Sequence, residues 1–261
     1  MPRGRSWEVL ASFDAVALLY VDVFRVIRLF SLTLHKKKTT MKTQSNIKEI
    51  LAFLSQLEQN NDRTWFKARK DEFDALRKPW EADLQRLIDT VGQWDDSVRG
   101  LQARDAVFRI YRDTRFSHNK APYKTYFSGV VGPRGRHAVT ACSYLHIENN
   151  NIMVAGGIWC PERPILNQLR SLIDAEASEF LKIVNNPEIA HHFKWESDSL
   201  KKVPRDYPAD HPMAQFLKMK DYVIVKRVTP EYFDCDDWVE RVAQDFKRLQ
   251  PLYDFLNYVF E

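Results

Sequence analysis

The sequence predicts an α+β fold, with a central, mostly antiparallel sheet flanked by N- and C-terminal helices. Three observations predict it. Apolar residues recur at helical spacing from Ile47 to Val91 and again from Ile165 onward. Between these stretches, residues 106–159 fall into short runs rich in aromatic and β-branched side chains, bounded by turn residues. The runs follow one another without an intervening helical pattern, which favours antiparallel pairing.

Taken in order, Ser45 is the expected N-cap of a first helix carrying Ile47, Ile50, Leu51, Leu54 and Leu57, stopped by Asn60-Asn61. Asp62 is placed to cap a second helix carrying Trp65, Phe66, Phe73 and Leu76. Pro79 is expected to kink this helix or to open the next one, whose stripe runs from Trp80 to Val91. Strands are expected over residues 106–111, 123–131, 138–147 and 152–159, with turns at Pro133-Arg134-Gly135 and Asn149-Asn150-Asn151. Helices return around Ile165–Ile173 and Phe180–Val184. Pro204, Pro208 and Pro212 mark residues 187–220 as irregular, and Tyr222–Val228 reads as a further strand. A last helix is expected from Asp236-Asp237, divided or kinked at Pro251.

Composition narrows the function classes. The chain is 44% hydrophobic, with 16 Phe, 10 Tyr and 7 Trp, which is ample for a packed core. Cys142, Cys160 and Cys235 are odd in number and contain no CxxC, arguing against a disulfide framework or a zinc ribbon and for a reducing cytoplasm. The net charge of +4 lies wholly in residues 1–40. Within that leader, residues 15–34 are apolar but interrupted by Asp22, Arg25 and Arg28. Each charge costs about 2.5–3.5 kcal/mol near a bilayer centre, so no membrane span is expected. The Lys36-Lys37-Lys38 run before Met41 leads us to expect a mis-called start, with one α+β domain over residues 41–261. An amphipathic membrane-surface anchor is the alternative for the leader.

The neutral body is polarised. Residues 99–137 carry nine Lys/Arg (Arg99, Arg104, Arg109, Arg112, Arg115, Lys120, Lys124, Arg134 and Arg136) against only Asp105 and Asp113. A local basic patch is a better anion-site signal than overall charge. Its centre is RIYRDTRFSHNKAPYK, residues 109–124. Together with NDRTWF at 61–66 and GGIWCPE at 156–162, this segment resembles a conserved hypothetical family, domain of unknown function 2461, over residues of about 45 to 258. The resemblance implies a fold unit and an important surface, and it names no reaction.

The residues themselves suggest chemistry. Arg112, Arg115, Lys120 and Lys124 on one loop could grip phosphate or carboxylate through forked hydrogen bonds. Arg109 adds a further charge, and Tyr111, Phe116, Tyr123 and Tyr126 supply flat faces, a mixture that suits nucleotides or single-stranded nucleic acid. The opposing reading is structural, with Asp113 pairing Arg112 or Arg115 to pin a turn. Gly156-Gly157 would let a ligand approach backbone N–H groups, or would mark a bulge under Trp159. Glu162 is a helix-dipole partner or an acid near the basic loop, and Cys160 reads as a half-buried, inert thiol. The acidic cluster Asp234, Asp236 and Asp237 is read as helix capping.

The sequence contains no GxGxxG, GxxxxGK[ST], HExxH or GxSxG pattern, so no cofactor and no metal is expected. Three functions follow as expectations. The first is a binding protein for a phosphate-bearing ligand, nucleotide or nucleic acid. The second is an enzyme on a small anionic substrate, in a pocket near Arg112, Gly157 and Trp159, with Asp113, His146 or Glu162 as acid or base. The third is a scaffold without a small ligand.

Overall fold

The computed structural model describes residues 45–261. The expectations for residues 1–40 and for a start at Met41 fall outside the described residues.

Helix α1 (Ile47–Gln59) forms because its apolar residues share one face, with Ile47, Ile50, Leu51, Phe53, Leu54 and Leu57 all buried. Its N-cap is Asn46 rather than Ser45. Asn46 does not cap with its side chain: its amide donates to the Leu76 carbonyl at 2.9 Å, and its Oδ1 accepts no hydrogen bond. Ser45 Oγ takes part of the role by accepting from the Ile47 N–H at 3.3 Å. Asp62 caps α2 (Arg63–Ala68) as expected, accepting from the N–H groups of Thr64 and Trp65 at 2.8 and 3.0 Å. The chain breaks at Arg69, and α3 (Lys70–Val91) then runs 22 residues with Pro79 inside it, so Pro79 does not open a new helix.

The expected strand over 106–111 is corrected. Ala103–Ala106 is one helical turn, α4. The residues after it are extended but make only isolated bridges, Val107 to Gly129 and Tyr111 to Tyr123. Four steps on one side face six on the other, and that slip breaks a continuous ladder. Regular pairing begins with β1 (Tyr126–Val131), followed by β2 (Cys142–Glu148) and β3 (Ile152–Ile158). The β1–β2 connection turns at Arg134 and Gly135, both with positive φ, and a Cβ on Gly135 would sit 2.5 Å from the Asp105 carbonyl oxygen. Asn150, with φ of 60°, makes the tight β2–β3 hairpin.

After β3 come α5 (Arg163–Ala175), α6 (Ala177–Val184) and the short α7 (Pro187–Ala190). Beyond α7, the stretch expected to be irregular holds only β4 (Lys194–Trp195) and α8 (Ala214–Leu217) as regular elements. Strand β5 (Tyr222–Val228) spans the residues expected. The C-terminal stripe divides before Pro251 into α9 (Trp238–Arg248) and α10 (Gln250–Asn257). Asp237 stands at the N-cap of α9 but its carboxylate caps nothing, and Asp234 pairs with Lys48 at 2.6 Å instead. The capping reading is therefore corrected for Asp234 and Asp237.

The sheet order is β1-β2-β3-β5-β4, antiparallel throughout. The register puts Phe127, Ile147, Leu145, Val154, Ile158 and Tyr222 on one face. That face is buried under two apolar clusters, one built with α1, α3 and α9, the other with α5, α6, α8 and α10. The opposite face carries Tyr126, Ser128, Tyr144, His146, Met153 and Val225, and none of these belongs to either cluster. The polar chemistry sits at one end of that second face.

Candidate functional site

A cavity of about 640 Å³ opens where the basic loop meets the start of β1 and the end of β2. The loop is held there by backbone mimicry. Asn61, just before α2, donates its amide to the Tyr123 carbonyl at 3.0 Å and accepts the Tyr123 N–H at 3.1 Å, replacing a strand neighbour. The Tyr123 ring is buried and stacks on Phe66 with centroids 4.0 Å apart. The NDRTWF segment therefore positions the loop.

The loop cations have different fates. Arg112 bonds within the loop, to the Ala121 carbonyl at 3.2 Å and to Ser117 Oγ at 3.4 Å, and still lines the cavity. Lys124 lines it too, with its ammonium over the rings of Phe108 and Tyr126 at 5.0 and 5.5 Å. Burial, with Arg109 nearby, lowers the Lys124 pKa. No carboxylate among the described residues lies within ion-pair distance of Arg112 or Lys124. Arg115 is bidentate to Asp113, with a shortest contact of 2.6 Å. This bond, and the Arg115 N–H donated to the same carboxylate, hold Asp113 down at about 2. Lys120 donates to the Thr114 carbonyl at 3.0 Å. Turn-pinning thus describes Arg115, whereas Arg112 and Lys124 line the cavity without a carboxylate partner among the described residues.

Of the residues singled out from sequence, Arg112, Asp113, Tyr123, Lys124 and Tyr126 come together around the cavity. Arg109, Arg115 and Lys120 share the loop but do not line it. Gly156, Gly157, Trp159 and Glu162 lie toward the other end of β3, since Gly157 pairs with Cys142 while Glu148 ends β2 at the cavity. The expected wall of Arg112, Gly157 and Trp159 is not assembled. A Cβ on Gly156 would lie 2.0 Å from Tyr253 Oη, and one on Gly157 1.9 Å from the Tyr222 carbonyl oxygen. Close packing, not ligand approach, accounts for the glycine pair. Trp159 is 80% exposed, and Cys160 is exposed with φ of 51°, not half-buried. Glu162 takes the N-cap position of α5 without a side-chain hydrogen bond.

Sequence reasoning missed Glu148. It lines the cavity at the end of an alternating Tyr144-x-His146-x-Glu148 run, whose period of two puts all three side chains on the polar sheet face. His146 is buried, its Nδ1 2.7 Å from Tyr144 Oη and its Nε2 3.1 Å from Glu148 Oε2. Tyr126 packs against the imidazole at 4.6 Å between centroids. Burial lowers the His146 pKa and pushes the Tyr144 hydroxyl up to about 12. The ring is therefore neutral at pH 7, donating from Nε2 to Glu148 and accepting from Tyr144 at Nδ1. Asn151 and Thr125 donate to the same carboxylate at 2.7 and 3.3 Å. The signal for this cluster was present in the period of two, but hairpin register was needed to bring Glu148 to the loop.

The family model of the conserved hypothetical protein family DUF2461 matches residues 49–255. The chain belongs to the DUF2461 family. No curated protein and no solved structure matches it. The DUF2461 match starts within α1 and ends within α10, so every residue named at the cavity lies inside it. Among the described residues, no group of three or more His, Cys, Asp or Glu is placed to hold a metal ion, and no helix is long and apolar enough to cross a membrane.

Proposed function

We propose that this protein binds a small molecule carrying a phosphate or carboxylate group in the cavity, with Arg112 and Lys124 as the anion clamp. The observation that carries this reading is that these two cations face the cavity without a carboxylate partner, while neighbouring Arg115 is committed to Asp113. Arg112 is pre-oriented by its bonds to Ala121 and Ser117, which lowers the ordering cost of binding. A volume of about 640 Å³ is the size of a small-ligand site. The test is a thermal-shift and calorimetric screen of inorganic phosphate, nucleotides and small phosphorylated or carboxylated metabolites. We expect Arg112→Ala and Lys124→Ala each to weaken a hit by at least about tenfold, the effect of losing one charge-assisted hydrogen bond. Unchanged affinity in both folded variants would sink the reading.

A second reading has its own observation. On the same loop but outside the cavity lining, Phe116 is 93% and Tyr111 53% exposed, with the Arg115 guanidinium 5.8 Å over the Phe116 ring and Arg109 two residues before Tyr111. Exposed rings among cations suit stacking by single-stranded nucleic acid. If oligonucleotides bind here, affinity falls steeply with salt and is reduced by Phe116→Ala, and Arg112→Ala matters little.

A further inference from the structure

The cavity walls carry more than an anion clamp. Asp113 and Arg115 cancel one another by their ion pair. What remains around the cavity is two cations, Arg112 and Lys124, and two carboxylates, Glu58 and Glu148, with no Lys or Arg among the described residues within ion-pair distance of either acid; the one titratable base that Glu148 meets is the His146 imidazole, at 3.1 Å. A plain anion answers only half of this lining. Extending the reading given under Proposed function, we propose that the ligand is bipolar, with its phosphate or carboxylate on Arg112 and Lys124 and an ammonium group on Glu148.

Glu148 is built for such a role. Its Oε2 accepts from His146 Nε2 at 3.1 Å and from Asn151 Nδ2 at 2.7 Å, and its Oε1 from Thr125 Oγ1 at 3.3 Å. All three donors are uncharged at neutral pH, so they aim the carboxylate without cancelling it. The nearby guanidinium of Arg227 is taken by Glu196 at 2.6 Å and by Asn151. A fixed, partly desolvated carboxylate without a counter-charge carries an electrostatic cost, and a bound ammonium relieves it. The same carboxylates oppose a ligand that is anionic throughout, so the lining selects by repulsion as well as attraction.

The proposal is tested by calorimetry with three probes of matched size on the full chain. Phosphoethanolamine carries both charges, ethyl phosphate only the anion and ethylamine only the cation. We expect phosphoethanolamine to bind at least about tenfold tighter than either of the others. The β-alanine and propionate pair asks the same of a carboxylate. Glu148→Gln should bring phosphoethanolamine down to the affinity of ethyl phosphate, while ethyl phosphate binds this variant as well as or better than wild type. Equal wild-type affinity for phosphoethanolamine and ethyl phosphate overturns the proposal and leaves the anion clamp standing. A preference that survives Glu148→Gln also overturns it. The wild-type comparison needs no variant, so the proposal stays falsifiable if Glu148→Gln does not fold. If no probe binds, the anion clamp fails and the bipolar ligand with it.

Discussion

Arg112 and Arg115 are three positions apart and carry the same charge, yet their surroundings give them different work. Arg115 reaches back two residues to Asp113, a local pairing that exposed residues make at small net gain. Arg112 reaches across the loop to the Ala121 carbonyl and keeps its charge available at the cavity. The pairing at Asp113 has a direct reading in its titration. Its folded pKa lies below the ordinary 3.8, so the interaction is fully present above pH 3.8 and is lost as pH falls through about 2. A carbon-detected NMR titration of Asp113 should therefore give a midpoint near 2, and Arg115→Ala should return it toward 3.8. A wild-type midpoint near 4 would show that the pair does not persist in solution. His146 acts in the same direction on acid stability, at a higher pH. Its pKa is lowered by burial, so the unfolded chain binds the proton more readily and folding stability declines as pH drops below 6.5. Nitrogen shifts of His146 should report a ring more neutral than protonated at pH 6.5, and a predominant imidazolium there would contradict the burial.

At the scale of elements, β3 is where a functional motif and a packing motif are hardest to tell apart in sequence. Gly156 faces α10, and an added methyl would meet Tyr253 Oη at 2.0 Å and Leu249 Cδ1 at 2.8 Å. The Tyr253 hydroxyl is fixed there by a 2.8 Å bond to Ser143 Oγ, so it cannot easily yield. Gly157 adds a φ of 122°, which L side chains rarely adopt. We expect Gly156→Ala to cost about 1–3 kcal/mol by overpacking, and Gly157→Ala at least as much, since backbone strain of about 1–3 kcal/mol adds to the clash. Urea unfolding measures both. Folded Gly156→Ala should bind cavity ligands as wild type does, whereas a selective loss of binding would restore a ligand role for this strand.

For the whole molecule, the decisive feature is that both apolar clusters lie on one face of one sheet. Strands β3 and β5 contribute to each, through Ile152, Val154 and the half-buried Val228 to the first and Ile158, Tyr222 and Ile224 to the second. Helix α9 is tied to this sheet by a buried carboxylate. Asp245 on α9 is 0% exposed and accepts from Lys226 at 2.6 Å, Tyr232 Oη at 2.7 Å and Arg248 at 2.6 Å. Asp245→Ala would leave the Lys226 ammonium with its buried partner removed, and we expect a loss of about 3–5 kcal/mol in chemical denaturation. Because the clusters share strands, Phe180→Ala in the second should shift the same unfolding transition seen by Trp80 and Trp238 in the first. Two separate transitions would mean that the sheet does not couple them.

The period of the apolar residues was enough to determine helices α1, α5 and α9, strand β5 in full, the Asn150 hairpin and the α+β class, because these depend on which residues fall on one face of a local element. The repeated cations of residues 109–124 likewise fall on the loop that lines the cavity. Tertiary structure decided which of those cations remain free, that Asn61 stands in for a strand neighbour, and that residues 107–111 pair by isolated bridges instead of a ladder. It also brought Glu148 beside Arg112 and separated both from Gly157 and Trp159. The reason is that charge pairing and cavity formation depend on distances between segments far apart in the chain, which strand register sets and local periodicity does not encode.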